Sequence, residues 1–314
     1  VADYTLEGKR VWVSGHRGMV GSAIVRRLQD ENCTVLTAGR DEVDLRDSTA
    51  VDRWVHRNRP DAVFIAAAKV GGILANSSLP ADFIYDNLMI ASNVIKSAHD
   101  HNLEKVLFLG SSCIYPKFAP QPMPESALLT GPLEPTNEWY AVAKIAGIKL
   151  CQAFRRQHGD NMISAMPTNL YGPGDNYDLQ TSHVLPALLR KMHMARENGD
   201  STVTIWGSGA PLREFMYVDD LADACVFLMK AYSGDEHVNV GSGHEISIRG
   251  LAELIADIVG FTGELVFDQT KPDGTPRKLL DSSKLAQLGW TAKYSLGDGI
   301  REAYASFLRT KIAA

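Results

Sequence analysis

At 314 residues the chain is long enough for one large core, or for a large and a small domain. Its 45% hydrophobic and 22% charged residues are those of an ordinary globular protein, and a formal net charge of -5 leaves no basic footprint for nucleic acid. No apolar run reaches bilayer-spanning length, and the start Val1 to Glu7 lacks a signal-peptide pattern, so no membrane partner is expected and the cytoplasm is the expected compartment.

Four cysteines, Cys33, Cys113, Cys151 and Cys225, lie without disulfide or metal-ligand spacing, so no metal is expected. Cys33, Cys151 and Cys225 read as small apolar residues at helix or strand positions.

The first apolar run, Arg10 to Ser14, leads into Gly15-His16-Arg17-Gly18-Met19-Val20-Gly21 and then a helical pattern from Ala23 to Leu28. Strand, glycine turn and helix is the order of a dinucleotide site: glycines admit the pyrophosphate, and the helix N-terminus carries partial positive charge. The second run, Thr34 to Thr37, ends without the carboxylate that would hold a ribose 2′-hydroxyl. Arg40 and Arg17 stand there instead and match the oxygens of a 2′-phosphate, so NADP(H) is the expected cofactor; Asp41, next in sequence, leaves NAD use open.

Further strands are expected at Ala62 to Ala67, Lys105 to Gly110 and Ile163 to Pro167, alternating with helices as in a parallel sheet covered on both faces. The Gly71-Gly72 loop and Gly110-Ser111-Ser112 then face one crevice. After Tyr171 to Asn176 come a helix from His183, a strand at Val203 to Trp206, an acid-capped helix start at Val218-Asp219-Asp220, a buried strand at His237 to Gly241 and an amphipathic helix at Ile248 to Val259. The expected fold is α/β, a Rossmann-type doubly wound parallel sheet with a smaller, mostly C-terminal α/β substrate domain. Residues 1–170 would bind the cofactor, with returns near 212–245, and 171–314 would form the interleaved substrate domain.

Tyr140 and Lys144 are four residues apart, on one face of a helix, where an ammonium beside a phenol would favour the phenolate. Ser111 can donate to the same carbonyl oxygen, and Cys113 adds a group that simple carbonyl reduction does not need. Cys113 can act as a base if neighbouring positive charge lowers its pKa, and His183 as an acid. Each has a plainer reading: a buried thiol, a histidine at a helix start.

The Gly-x-x-Gly-x-x-Gly loop, Ser111 and Tyr140-x-x-x-Lys144 together resemble the extended short-chain dehydrogenase/reductase family. Ala66 to Ile73, Gly110 to Pro116, Met166 to Gly172 and Lys271 to Lys278 are similar, within it, to a branch acting on GDP-linked keto sugars. The resemblance implies NADPH-dependent epimerisation of GDP-4-keto-6-deoxy-D-mannose at C3 and C5 and reduction at C4. A related GDP-keto sugar, a 4-epimerase or 4,6-dehydratase, and a non-catalytic NADP sensor are the alternatives; a dehydratase would carry a Thr-Asp-Glu set where this chain has Ser-Ser-Cys.

By the same resemblance, Ser111, Tyr140 and Lys144 form the reductase set, and Cys113 with His183 the epimerisation pair. Cofactor contacts would come from Gly15, His16, Arg17, Gly18, Met19, Val20, Gly21, Arg40, Asp41, Leu109, Gly110, Ser111, Ser112, Tyr140, Lys144, Pro167, Thr168, Asn169, Leu170 and His183. The GDP-sugar would meet Lys191, beside Arg190, with Trp206, Arg213 and Asp273. Trp139 and Lys191 depart from the proline and arginine of relatives. A homodimer is implied, through the helix near Pro80 to His101 and the one bearing Tyr140.

Overall fold

The computed structural model describes residues 4–179, 181–271 and 273–312; Val1, Ala2, Asp3 and Pro272, which the sequence reading used, lie outside the described residues. In chain order the N-terminal part runs β1 (Arg10–Ser14), α1 (Met19–Arg27), β2 (Thr34–Leu36), α2 (Ser48–Asn58), β3 (Ala62–Ile65), α3 (Ile73–Ser78), α4 (Pro80–Asp100), β4 (Lys105–Leu109), α5 (Glu138–His158) and β5 (Met162–Pro167). There follow β6 (Asn169–Tyr171), α6 (Val184–Asn198), β7 (Thr202–Trp206), β8 (Leu212–Tyr217), α7 (Val218–Ala231), β9 (Val238–Val240), β10 (Glu245–Ser247), α8 (Ile248–Val259), β11 (Glu264–Asp268), β12 (Arg277–Lys278), α9 (Ser283–Gln287) and α10 (Leu296–Ile312).

Six parallel strands form the main sheet in the order β2-β1-β3-β4-β5-β9. β3 and β4 are buried along their whole length, as strands with helices on both faces must be. One face packs on α1 and α7 through Ile24, Leu221, Cys225 and Leu228. The other packs on α2, α4 and α5 through Trp54, Val94, Ile95 and Ile148, and each fully buried aliphatic side chain contributes about 1.5–3 kcal/mol. The chain reverses direction across the sheet between β1 and β3, the switch point outside which ligands bind in such folds.

The second lobe has its own core, with Leu189, Met192, Leu251, Ile255 and Ile300 packed around Phe215 and Tyr217. There β8 pairs with β10, β12 and β6. A separate pair, β7 and β11, runs parallel.

Several local readings need correction. The expected strands at Thr34 to Thr37, Ala62 to Ala67 and Lys105 to Gly110 each stop one or two residues early, where the chain leaves the ladder at the crevice. Cys33 sits in the bend before β2, outside any helix or strand. Asp219 and Asp220 do not cap α7: its N-cap is Tyr217, and Asp220 accepts the backbone N–H groups of Lys293 and Tyr294 instead. Among the described residues no helix is long and apolar enough to cross a membrane, and no group of three metal-ligating side chains occurs.

Candidate active site

The glycine loop after β1 is shaped by close backbone contact. Gly15 has φ +84°, and a Cβ there would stand 2.6 Å from the amide of Ala67, at the end of β3. A side chain on Gly21 would collide with the Gly15 carbonyl, so α1 presses on the loop, whereas Gly18 faces open space beyond one contact at 3.4 Å. Gly18 is also the N-cap of α1 and no side chain bonds the helix's first amides, which remain available to an anion. Met19 and Val20 open the helix, and the Nδ1 of His16 is buried without a partner.

Arg17 and Arg40 are both exposed beside this loop. Arg17 reaches Asp41 at 3.4 Å and Arg40 reaches Asp44 at 3.8 Å, so two guanidinium groups stand where the strand-end carboxylate is missing. The cradle, the uncapped helix start and this pair fit a dinucleotide that carries a 2′-phosphate.

The second arm of the crevice follows β4. Leu109 ends the strand, Gly110 N–H still donates to the Ala165 carbonyl at 2.9 Å, and Ser111 caps a single turn at Ser112–Ile114, its Oγ accepting from the Cys113 amide at 3.4 Å. The turn is anchored below by Tyr115, whose hydroxyl donates to Asn239 Oδ1 and meets His237 Nε2 at 2.9 Å. Burial holds His237 down at about 4, so it is neutral and donates from Nε2.

α5 brings in Tyr140 and Lys144. Gly147 has no side chain where the Phe108 ring lies, which lets the helix sit close on β4. Lys144 is buried, and its Nζ donates to the Leu109 carbonyl at 2.7 Å, 5.6 Å from the ring centre of Tyr140. Burial lowers it to about 8. The ammonium does not outweigh burial: burial, and then the neighbouring Cys113, raise the Tyr140 pKa well above its ordinary value, and the ammonium donates to a carbonyl. Tyr140 is therefore a firmly protonated donor.

Cys113 departs from expectation in the same way. Lys278, Ser111 and Lys144 all favour its thiolate, but burial outweighs them and raises the thiol above its ordinary value. Cys113 shares a cavity with Ser112, Lys117, Glu134, Asn137 and Lys278. Lys278 belongs to a segment quoted from the sequence but was given no role there; only the pairing of β12 with β8 brings it to the cavity. A roomier cavity, between Arg59, Asp61 and His101, lies at the far ends of β3 and β4 and holds none of the predicted residues.

His183 is the N-cap of α6, without a capping bond from its side chain. Its surface is exposed, yet protein surrounds it on the crevice side, and that burial, then Lys278, lowers its pKa. The Gly71-Gly72 loop is packed on the residues just before His183, Gly72 N–H donating to the Thr181 carbonyl at 3.0 Å.

Pro167 ends β5, and Thr168, Asn169 and Leu170 pass into the second lobe. Asn169 Nδ2 and Thr168 Oγ1 both donate to the Glu214 carbonyl, at 2.7 and 3.3 Å. On that lobe Trp206 is 66% exposed at the end of β7, with Lys191 and Lys271 ammonium groups 5.7 and 5.5 Å from its ring centre. Asp273 accepts from Ser208 N and Oγ at 2.7 and 2.8 Å, while Arg213 is partly buried beside it. Arg190 turns away and donates to the Tyr177 carbonyl.

The sequence model of the NAD dependent epimerase/dehydratase family matches residues 11–241. A putative GDP-L-fucose synthase 2 of Arabidopsis thaliana is 62% identical over 96% of this chain and 93% of its own length. The GDP-L-fucose synthase of Escherichia coli (strain K12) is 53% identical over 96% of this chain and 98% of its own. Among solved structures, a GDP-L-fucose synthetase from Naegleria fowleri bound to NADP superposes with a TM-score of 0.92 at 31% identity, covering 100% of this chain and 97% of that one. The chain belongs to the NAD dependent epimerase/dehydratase family, among the relatives of GDP-L-fucose synthase.

Proposed function

We propose that the chain is an NADPH-dependent enzyme that epimerises GDP-4-keto-6-deoxy-D-mannose at C3 and C5 and reduces it at C4, giving GDP-L-fucose. The observation that carries this reading is the thiol of Cys113 in a cavity with Lys278, beside Ser111, Tyr140 and Lys144. A plain reductase has no use for that thiol.

In this reading Ser111 and Tyr140 donate hydrogen bonds to the C4 oxygen and stabilise the charge that develops there. Cys113 removes the proton from C3 and then from C5, and His183 returns a proton on the opposite face. NADPH supplies the hydride for C4. Tyr140 then gives its proton to the C4 oxygen, a step suited to a phenol held protonated by burial. Lys144 fixes the Leu109 end of β4 and keeps a positive charge behind the phenol.

Gly15, Gly18 and Gly21 with the α1 N-terminus would receive the pyrophosphate, and Arg17 with Arg40 the 2′-phosphate. The exposed face of Trp206 suits the guanine, and Lys191 and Arg213 the diphosphate. This reading assigns residues 1–170, with returns near 212–245, to the cofactor and 171–314 to the substrate. It also takes the enzyme to be a cytoplasmic homodimer, in keeping with four free cysteines and with Tyr85, Trp139 and Val142 exposed on α4 and α5.

Turnover with NADPH in deuterated water tests it. Solvent deuterium should enter C3 and C5 of the product, and Cys113→Ser should lose that labelling while still reducing the unepimerised ketone. Wild-type labelling by Cys113→Ser would remove the thiol from the mechanism.

A further inference from the structure

Lys278 is held in place from two sides. Its strand, β12, pairs in parallel with β8, setting Lys278 opposite Arg213. The next residues are clamped: Leu279 N donates to Gln121 Oε1 at 2.9 Å, its carbonyl accepts from Met123 N at 2.8 Å, and Leu280 N donates to the buried carboxylate of Glu214 at 3.1 Å. The chain Gln121 to Met123 is itself the continuation of the Cys113 turn. These bonds fix the backbone that carries Lys278 relative to the Cys113 turn.

Burial lowers the pKa of its ammonium from the ordinary lysine value, Cys113 opposes that and Arg213 adds to it. Among the described residues no carboxylate lies within ion-pair distance of Lys278, although its neighbour Arg277 pairs with Glu245 at 2.8 Å. The carboxylate that lines the same cavity, Glu134, is held by Lys117 at 2.9 Å. Cys113, on the turn after β4, lines the same cavity as Lys278, Arg213 stands opposite it on β8, and the charge of Lys278 also reaches His183 at the start of α6. The groups facing Cys113 are Lys278, Ser111, Lys144 and Tyr140, with Tyr115, Lys117, Glu134 and Arg277 completing the cavity wall. An unpaired ammonium partly removed from bulk water is costly, and this one lines the cavity of the Cys113 thiol.

We propose that Lys278 is the counter-charge of the Cys113 thiol, an ammonium in the same cavity that stabilises negative charge developing at Cys113 Sγ. It acts through that side chain as a positioning residue. The thiolate is then more populated near neutral pH and available to take the proton. The inference rests on the Cys113 reading above and adds what makes that thiol usable.

The test reads ionisation of Cys113 directly. Alkylation by iodoacetamide, followed on the Cys113 peptide by mass spectrometry between pH 6 and 9, reports the thiolate without turnover. Lys278→Gln should slow it about tenfold at pH 7 and move the profile to higher pH, and Lys278→Arg should restore it. Lys278→Met, which keeps most of the stem, serves the same purpose should the glutamine variant fail to fold. In parallel, the acidic limb of solvent-deuterium exchange into the keto sugar should move upward with the alkylation profile. An unchanged alkylation profile together with a raised KM for the GDP-sugar would make Lys278 a substrate ligand and overturn the proposal. Retained exchange in Cys113→Ser would overturn the reading beneath it instead, whatever the alkylation shows.

Discussion

The ammonium of Lys144 donates to the main-chain carbonyl of Leu109 at 2.7 Å and stands 5.6 Å from the ring centre of Tyr140. Lysine and tyrosine share a helix face, as their spacing requires, but the nearest acceptor for the lysine is the end of β4. The phenol is left protonated in a buried setting. Tyr140→Phe should therefore abolish reduction while NADPH binding, read by fluorescence titration, changes less than about threefold.

Lys144 adds a pH dependence whose sign is fixed by the form that works. Burial has brought it down to about 8, and the ammonium donates to the Leu109 carbonyl more strongly than the neutral amine and alone keeps a positive charge behind the phenol. Reduction should fall as pH rises through about 8, and Lys144→Arg should move that limb upward. A rate that stays level to pH 10 would remove Lys144 from the reductase set.

Much of this site was legible in the sequence because its parts are local. Strand, glycine turn and helix are consecutive, Tyr140 and Lys144 are one helical turn apart, and Ser111 and Cys113 flank one residue. Lys278 was not legible. It lies 165 residues beyond Cys113, on a two-residue strand whose pairing with β8 no periodicity announces. Protonation states are hidden from the sequence for a related reason. Charges could be counted along the chain, but burial, which outweighs them at Cys113 and Tyr140, exists only once helix and sheet are packed.

Cofactor choice should follow the two exposed guanidinium groups. Arg40→Glu should weaken NADPH at least about tenfold and leave NADH within about twofold, since only the former carries the extra phosphate. Arg17→Glu should act in the same sense, less strongly, because Arg17 already leans on Asp41. Equal losses for both cofactors would place the phosphate elsewhere.

Trp139 and Val142, one helical turn apart on α5, and Tyr85 on α4 are exposed at 44%, 37% and 60%. Apolar side chains on two adjacent long helices are what a helix-bundle dimer would cover. Sizing at micromolar concentration should give about twice 34.4 kDa. Trp139→Glu combined with Val142→Lys should halve that mass, and a double variant that still elutes as a dimer would place the contact on another face.

Asp175 gives a stability test away from the chemistry. Among the described residues one oxygen of its carboxyl is buried without a partner, the other accepts the Asn176 amide at 2.7 Å, and burial raises it to about 7. The folded protein thus binds a proton that the unfolded chain releases near pH 4, so stability is fully present below that value and is lost as pH rises through about 7. Asparagine keeps the shape and has no charge to desolvate. Asp175→Asn should therefore be more stable than the parent at pH 8 by about 1–3 kcal/mol, read as a higher Tm in the cofactor-free protein, with the difference vanishing or reversing at pH 4. The sign of the pH dependence separates this cause from an ordinary change of packing, which would shift Tm equally at both pH values.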